Sequence, residues 1–235
     1  MTATAEAATE PAPIRLWRLP GVYPPQADTG LLAQALSREI VAPGTEVLDV
    51  GTGTGALAVL AAGMGARVEA TDISWRAVLT ARLNAARAGH RVAVRRRHLA
   101  HPPDGRTYDM VLGNPPYVPG PPPRGAARTR RSARAWDGGA RGRDLVDLMC
   151  VRAAALLRPH GVLLMVHSGL CGTGRTLDTL RQCGLSGQVT ARARIPYGPV
   201  LHSRLGWLRA QGLVGAEERA EDLMEELVVI RAQRP

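Results

Sequence analysis

The stretch Val47-Leu48-Asp49-Val50-Gly51-Thr52-Gly53-Thr54-Gly55-Ala56 decides how this chain folds. Its apolar first half reads as a buried strand over residues 46–50. Residues 51–55 read as a glycine turn and residues 56–64 as a helix. Glycines permit a tight turn and let a ligand come close to the backbone. Gly51, Gly53 and Ala56 also satisfy G-x-G-x-x-G/A, so the stretch alone does not separate a nicotinamide dinucleotide from another nucleoside ligand. Asp72 follows Gly51 by 21 residues and ends the next apolar run. An acid there is placed to accept from both ribose hydroxyls.

Outward from this unit the pattern repeats. Upstream, Asp28 or Thr29 is expected to cap a helix carrying Leu31, Leu32, Ala35, Leu36 and Ile40, stopped by Pro43-Gly44. Downstream, strands are expected over residues 67–71, 91–95, 108–113 and 162–167. Helices are expected over 74–88, with Ser74 as cap, and over 144–158. A helix near 176–183, a strand near 188–194, a helix near 200–210 and a strand over 226–231 complete the chain. Strands alternating with helices predict an α/β domain. Its mostly parallel, seven-stranded, Rossmann-like sheet has helices on both faces and binds ligands at the carboxyl ends of its strands. Residues 1–13 are expected to be a disordered tail and residues 14–235 a single domain.

The composition supports one globular domain: 45% of the 235 residues are hydrophobic and 21% charged. The longest apolar stretches, 56–60 and 162–166, fall far short of the roughly 20 residues a membrane helix needs. The opening MTATAEAATEPAP has neither a basic nor an apolar signal region, so no secretory leader is expected. Cys150, Cys171 and Cys183 are too few and too scattered for a disulfide framework or a C-x-x-C clip, and no metal is expected. A reduced, cytoplasmic protein is the expectation. Thirty basic residues, all Arg, face 20 acids, a net charge of +10. That excess suits an anionic partner such as RNA, a ribonucleoprotein or an acidic protein, or else forms a solvated face.

Asn114-Pro115-Pro116-Tyr117 sits where the fourth strand leaves the sheet. Two prolines fix the backbone, so the Asn114 amide and the Pro115 carbonyl are held rigidly. Two convergent acceptors suit an –NH2 group on a planar system, whose nitrogen is a poor nucleophile because its lone pair is delocalised. Accepting from both N–H groups favours a pyramidal nitrogen and stabilises the positive charge that grows on it during methyl transfer. The Tyr117 ring is expected to pack on the planar group.

Together, D-V-G-T-G-T-G, the acid ending the second strand and N-P-P-Y resemble the class I S-adenosylmethionine-dependent methyltransferases acting on amide or exocyclic amine nitrogens. The closest resemblance is to the HemK family of release-factor glutamine methyltransferases. Tyr23-Pro24-Pro25-Gln26-Ala27-Asp28-Thr29 resembles the family's Y-x-P-x-x-D-T segment, and residues 135–143, A-W-D-G-G-A-R-G-R, resemble its A-x-x-G-G-x-x-G-R segment. The resemblance covers residues 20–170 well and the C-terminus poorly. It implies S-adenosylmethionine as cofactor, held by Gly51, Gly53, Gly55 and Asp72, with Asp49, Thr52, Ile73 and Leu99 beside them. It implies Asp28 and Thr29 near the methionine end and Asn114 and Pro115 on the target amide. Pro116, Tyr117 and Trp136 join them on the substrate side. With about 45 residues before the first strand, the chain is similar to the family's short branch, which lacks an N-terminal helical domain.

One position departs from the pattern. Where relatives carry an adenine-contacting Asp after the third strand, this chain has His98. His accepts a hydrogen bond only when neutral, so the adenine contact moves to His98 or to a backbone group. Eukaryotic members of the short branch pair a small zinc-binding partner with the edge strand. Here that strand carries Arg91 and Arg95 and is followed by Arg96 and Arg97, so no such obligate partner is expected. The alternatives for the acceptor are the adenine amino group of DNA or RNA and a small metabolite. Outside enzymes, the alternative is a cofactor-binding protein that binds nucleic acid. Residues 121–143 hold seven Arg and one acid, Asp137. That run lies in an aperiodic loop, 118–143, expected to be a lid or substrate segment, or else a disordered insertion. His90, His101, His160 and His202 are expected to be solvated and Cys150 to lie in the core.

Overall fold

A computed structural model of the chain describes residues 16–100, 105–122 and 136–235. The expected N-terminal tail, His101 and the middle of the 118–143 loop lie outside these residues. The first half of the chain forms α1 (Ala27–Leu36), β1 (Glu46–Val50), α2 (Ala56–Gly63), β2 (Arg67–Asp72), α3 (Trp75–Arg87) and β3 (Val92–Arg96). After these come β4 (Tyr108–Gly113), α4 (Asp144–Leu156), β5 (Leu157–Ser168), α5 (Thr173–Gln182) and β6 (Ser186–Pro196). The chain closes with the short helices α6 (Pro199–Ser203) and α7 (Leu205–Ala210) and with β7 (Met224–Gln233).

The strands form one sheet in the order β3-β2-β1-β4-β5-β7-β6. Strands β1 to β5 pair in parallel, while β7 runs antiparallel between β5 and β6. The order reverses between β1 and β4, which makes the crevice at their carboxyl ends the switch point. The central strands are largely buried on both faces, in keeping with their mostly apolar sequences. One core cluster packs α1, α2 and α3 on one face through Leu32, Leu36, Ala58, Val78 and Ala81. The other packs α4 and α5 through Val146, Met149, Ala153, Leu156 and Leu180. Among the described residues no helix is long and apolar enough to cross a membrane.

Several expectations need correction. The helix expected over 144–158 ends at Leu156, and the strand expected over 162–167 already begins at Leu157. The first helix begins at Ala27 with Gln26 as its N-cap, so neither Asp28 nor Thr29 caps it, and both are buried in its first turn. It ends before Ile40, which is 94% exposed. The helix expected over 200–210 is two short ones that meet at Arg204. There the guanidinium turns away to the Pro119 carbonyl at 2.8 Å and to Asp137 at 3.5 Å.

Candidate active site

A cavity of about 660 Å³ opens at the switch point. The glycine turn supplies its floor. Gly51 and Gly53 have φ of +71° and +55°, a region L side chains rarely occupy. A Cβ on Gly51 would meet no atom within 4 Å, so it would project into open space. Asp49, at the end of β1, is 1% exposed and lines the cavity. It accepts from Thr52 Oγ1 at 2.6 Å, and burial pushes its carboxyl up to about 6. Asp72 also lines the cavity. Its two oxygens are pinned by the Gly53 and Ser74 amides at 3.1 and 2.8 Å, and burial raises its carboxyl. Ile73, Arg97, His98 and Leu99 complete that end. His98 Nδ1 accepts from the Ala100 amide at 2.9 Å, which fixes the exposed ring within its own turn.

The opposite wall is built from Tyr23, Thr29, Asn114, Pro115, Pro116 and Leu145. Behind it lies Asp28, 3% exposed. Its carboxylate accepts from the hydroxyls of Tyr23 and Tyr117, each at 3.0 Å, and from the Thr29 amide at 2.6 Å. The Thr29 hydroxyl donates to the same carboxylate at 3.2 Å. Having used its one proton there, it can only accept from the Asn114 Nδ2, 3.2 Å away. The chain Asp28–Thr29–Asn114 therefore settles which way the Asn114 amide is turned. Glu225, at the start of β7, is buried near the same tyrosines, and burial raises its carboxyl.

Tyr117 departs from its expected place. Its hydroxyl is drawn to buried Asp28 and its ring is only 8% exposed, so it anchors the loop and does not line the cavity. Asp28, Gly55 and Trp136 do not line the cavity either. A Cβ on Gly55 would stand 3.0 Å from Ala81 Cβ, so this glycine serves the packing of α2 on α3. Trp136 contributes its backbone carbonyl to Val118, 2.8 Å away.

That last contact belongs to a strap. Residues 136–139 lie beside Val118 to Gly120, joined by Gly138 N to Val118 O and by Gly120 N to Gly139 O, both at 3.0 Å. A Cβ on Gly142 would fall 2.1 Å from the Tyr117 carbonyl oxygen, so only glycine fits. Arg143, 4% exposed, ties the strap down through Asp147, the Cys171 carbonyl and Thr176 Oγ1. The ends of the 118–143 loop are thus ordered scaffolding for Asn114-Pro115-Pro116-Tyr117. Tyr23 and Leu145 are wall residues not singled out from sequence. Tyr23 was legible as the aromatic that opens the segment leading to Asp28.

Residues 13–129 match the family model of the methyltransferase small domain. The chain is 29% identical over 192 residues to a putative protein N5-glutamine methyltransferase of Methanocaldococcus jannaschii, covering 78% of this chain and 91% of that protein. It is 31% identical over 193 residues to the release factor glutamine methyltransferase of Geobacter sulfurreducens, covering 80% of this chain and 67% of that one. It spans about half the length of two further release factor glutamine methyltransferases. Among solved structures, the E. cuniculi Mtq2–Trm112 complex, responsible for methylating the eRF1 termination factor, superposes with a TM-score of 0.61 at 21% identity. That match covers 92% of this chain and 99% of the other. At that identity the likeness concerns the fold. The sheet order, the glycine turn and the kinship to the Geobacter enzyme agree, and the chain belongs to the HemK-like family of class I methyltransferases.

Proposed function

We propose that the protein transfers the methyl group of S-adenosylmethionine to the side-chain amide nitrogen of a glutamine in a protein, a peptide release factor being the first substrate to test. The observation that supports methyl transfer to a planar –NH2 group is the Asn114 amide, turned by Thr29 and Asp28 at the wall of the cavity beside Pro115. The relatives' names point to the same acceptor, a protein glutamine.

The cavity fits the cofactor on its own evidence. The open space over Gly51, the pinned Asp72 carboxylate and the buried Asp49 make a cradle with two anionic groups. In this reading Gly51, Thr52 and Gly53 approach the amino acid moiety and Asp72 the ribose. Ile73, His98 and Leu99 flank the base, and Asp49 and Thr29 lie toward the charged methionine end. S-Adenosylmethionine supplies an electrophilic methyl on a sulfonium. Asn114 Oδ1 and the Pro115 carbonyl accept the two amide N–H bonds of the substrate. They draw the nitrogen out of conjugation and stabilise the charge that grows on it. Thr29 and Asp28 keep Oδ1, rather than the NH2 group, available for this. Tyr117 holds the loop that carries both acceptors. The fixed geometry, more than any strong base, supplies the acceleration. A cytoplasmic location belongs to the same proposal.

Labelled cofactor offered side by side to a release factor, a duplex DNA and an RNA tests the reading. Label is expected on the release factor alone. Label on adenine in either nucleic acid would overturn the acceptor assignment while leaving methyl transfer to a planar amine intact.

A further inference from the structure

Seven of the chain's 30 Arg, and none of its 20 acids, fall within residues 75–97. These residues are α3, the turn after it and β3 with its exit, and β3 is one edge of the sheet. The segment therefore carries seven positive charges with no acid of its own. Three of the seven guanidinium groups are held by neutral partners. Arg76 donates to the Pro20 carbonyl at 3.2 Å, Arg82 to the Val94 carbonyl at 2.8 Å and Arg96 to the Ile73 carbonyl at 2.9 Å. Among the described residues only Arg95 of the seven meets a carboxylate, Glu69 at 3.5 Å. A hydrogen bond to a carbonyl fixes a guanidinium without neutralising it, so these three positive charges stand in set positions.

Apolar groups lie among these charges. Trp75, Leu79 and Leu83 recur every four residues along α3 and are 55%, 49% and 38% exposed. The Arg76 guanidinium lies 5.5 Å from the centre of the Trp75 ring. A solvated face has no use for an indole and two leucines, whereas a strand with splayed bases does. Aromatic faces stack unpaired bases while flanking cations follow the phosphates. An acidic peptide would use the charge but not the exposed ring. A duplex buries its bases and offers no base face to stack, and single-stranded segments are the usual target when proteins recognise RNA.

We infer that the α3–β3 side of this protein is a binding surface for single-stranded RNA. The Arg side chains track phosphates, and Trp75 takes a base beside the mouth of the cofactor cavity, which Trp75, Arg76, Arg96 and Arg97 also line. Arg82, Arg87, Arg91 and Arg95 lie outside the cavity that Asn114 lines, so either proposal holds if the other falls.

Fluorescence anisotropy with a labelled single-stranded RNA of about 15 nucleotides, read between about 50 and 200 mM salt, tests this. Two variants with equal loss of charge are compared. One carries Arg87→Gln, Arg91→Gln and Arg95→Gln on the proposed surface. The other carries Arg181→Gln, Arg192→Gln and Arg194→Gln on α5 and the opposite edge strand β6. Neither set touches the cofactor cavity, and unchanged cofactor affinity confirms that both variants fold. The first variant is expected to bind RNA at least tenfold more weakly, with the log–log salt slope reduced by about two, roughly 0.7 for each phosphate that the variant no longer neutralises. The second is expected to stay within about twofold of the parent. Equal weakening of both variants, or no RNA binding at the lower salt, would overturn the inference. So would tighter binding of polyglutamate, of duplex DNA or of a single-stranded DNA of the same sequence.

Discussion

At the scale of single residues, the proposal rests most on Asn114 and Asp49. Asn114→Ala should leave cofactor affinity within a few-fold, because the glycine turn and Asp72 are untouched. Turnover should fall by about 10²-fold or more, the cost of removing one transition-state hydrogen bond. Thr29→Val should reproduce part of that loss by freeing the Asn114 amide to turn over, and Thr29→Ser should restore it. Calorimetry and turnover measured on the same preparations separate the two effects, and normal turnover in Asn114→Ala would remove Asn114 from the reaction. Asp49 gives a stability effect of opposite sense. Its folded-state value of about 6 lies above the ordinary 3.8, so the carboxyl binds its proton more tightly in the folded state. The stability this confers is full below about pH 4 and is lost as the pH rises through about 6. The difference amounts to about 3 kcal/mol at most. Asp49→Asn should therefore raise the melting temperature of the cofactor-free protein at pH 7.5 and flatten its dependence on pH between 4 and 6. The same change should weaken binding of the cationic cofactor. An unchanged melting profile would contradict the assignment of burial as the cause. None of this coupling was legible in the sequence. Tyr117 and Asp28 are 89 residues apart, and only the fold brings the hydroxyl to the carboxylate.

Among the elements, the parallel strands were the most legible. β1 and β4 match their expected bounds, because strands buried on both faces are short, mostly apolar runs, and here each stops at a glycine. The C-terminal third was less so. Along β6, exposed and half-buried residues alternate, and nothing local shows that β7 will enter between β5 and β6. The break between α6 and α7 follows from a tertiary need, the reach of Arg204 to the strap. The strap itself makes a sharp prediction. Gly142 has φ +69° and no room for a Cβ beside the Tyr117 carbonyl. Gly142→Ala should destabilise the fold by roughly 1–3 kcal/mol through strain and displaced packing. It should lower turnover further by shifting Asn114-Pro115-Pro116-Tyr117. Thermal unfolding and turnover together check this, and a variant with parental stability and rate would show that the strap does not position the loop.

For the molecule as a whole, β3 is one of the two sheet edges where a further strand would have to add. Arg82 occupies the Val94 carbonyl, and Arg91, Arg95 and Arg96 crowd the strand. An added strand would have to displace the first and tolerate the rest. Purified alone, the protein should stay in solution, bind cofactor and unfold cooperatively. Precipitation relieved only by a small co-expressed partner, or a foreign strand paired with residues 91–97, would refute this. The fold class and the location of the site were legible from the glycine turn, Asp72 and Asn114-Pro115-Pro116-Tyr117. The acceptor was not, because an amide and an exocyclic amine present the same two N–H groups. Tandem mass spectrometry of a release factor incubated with this protein and S-adenosylmethionine addresses that gap most directly. One methyl group is predicted on the side-chain nitrogen of a single glutamine, formed about 10²-fold more slowly when Asn114→Ala replaces the parent enzyme. A methyl group on any other residue type, or one formed at the parental rate with Asn114→Ala, would contradict the account.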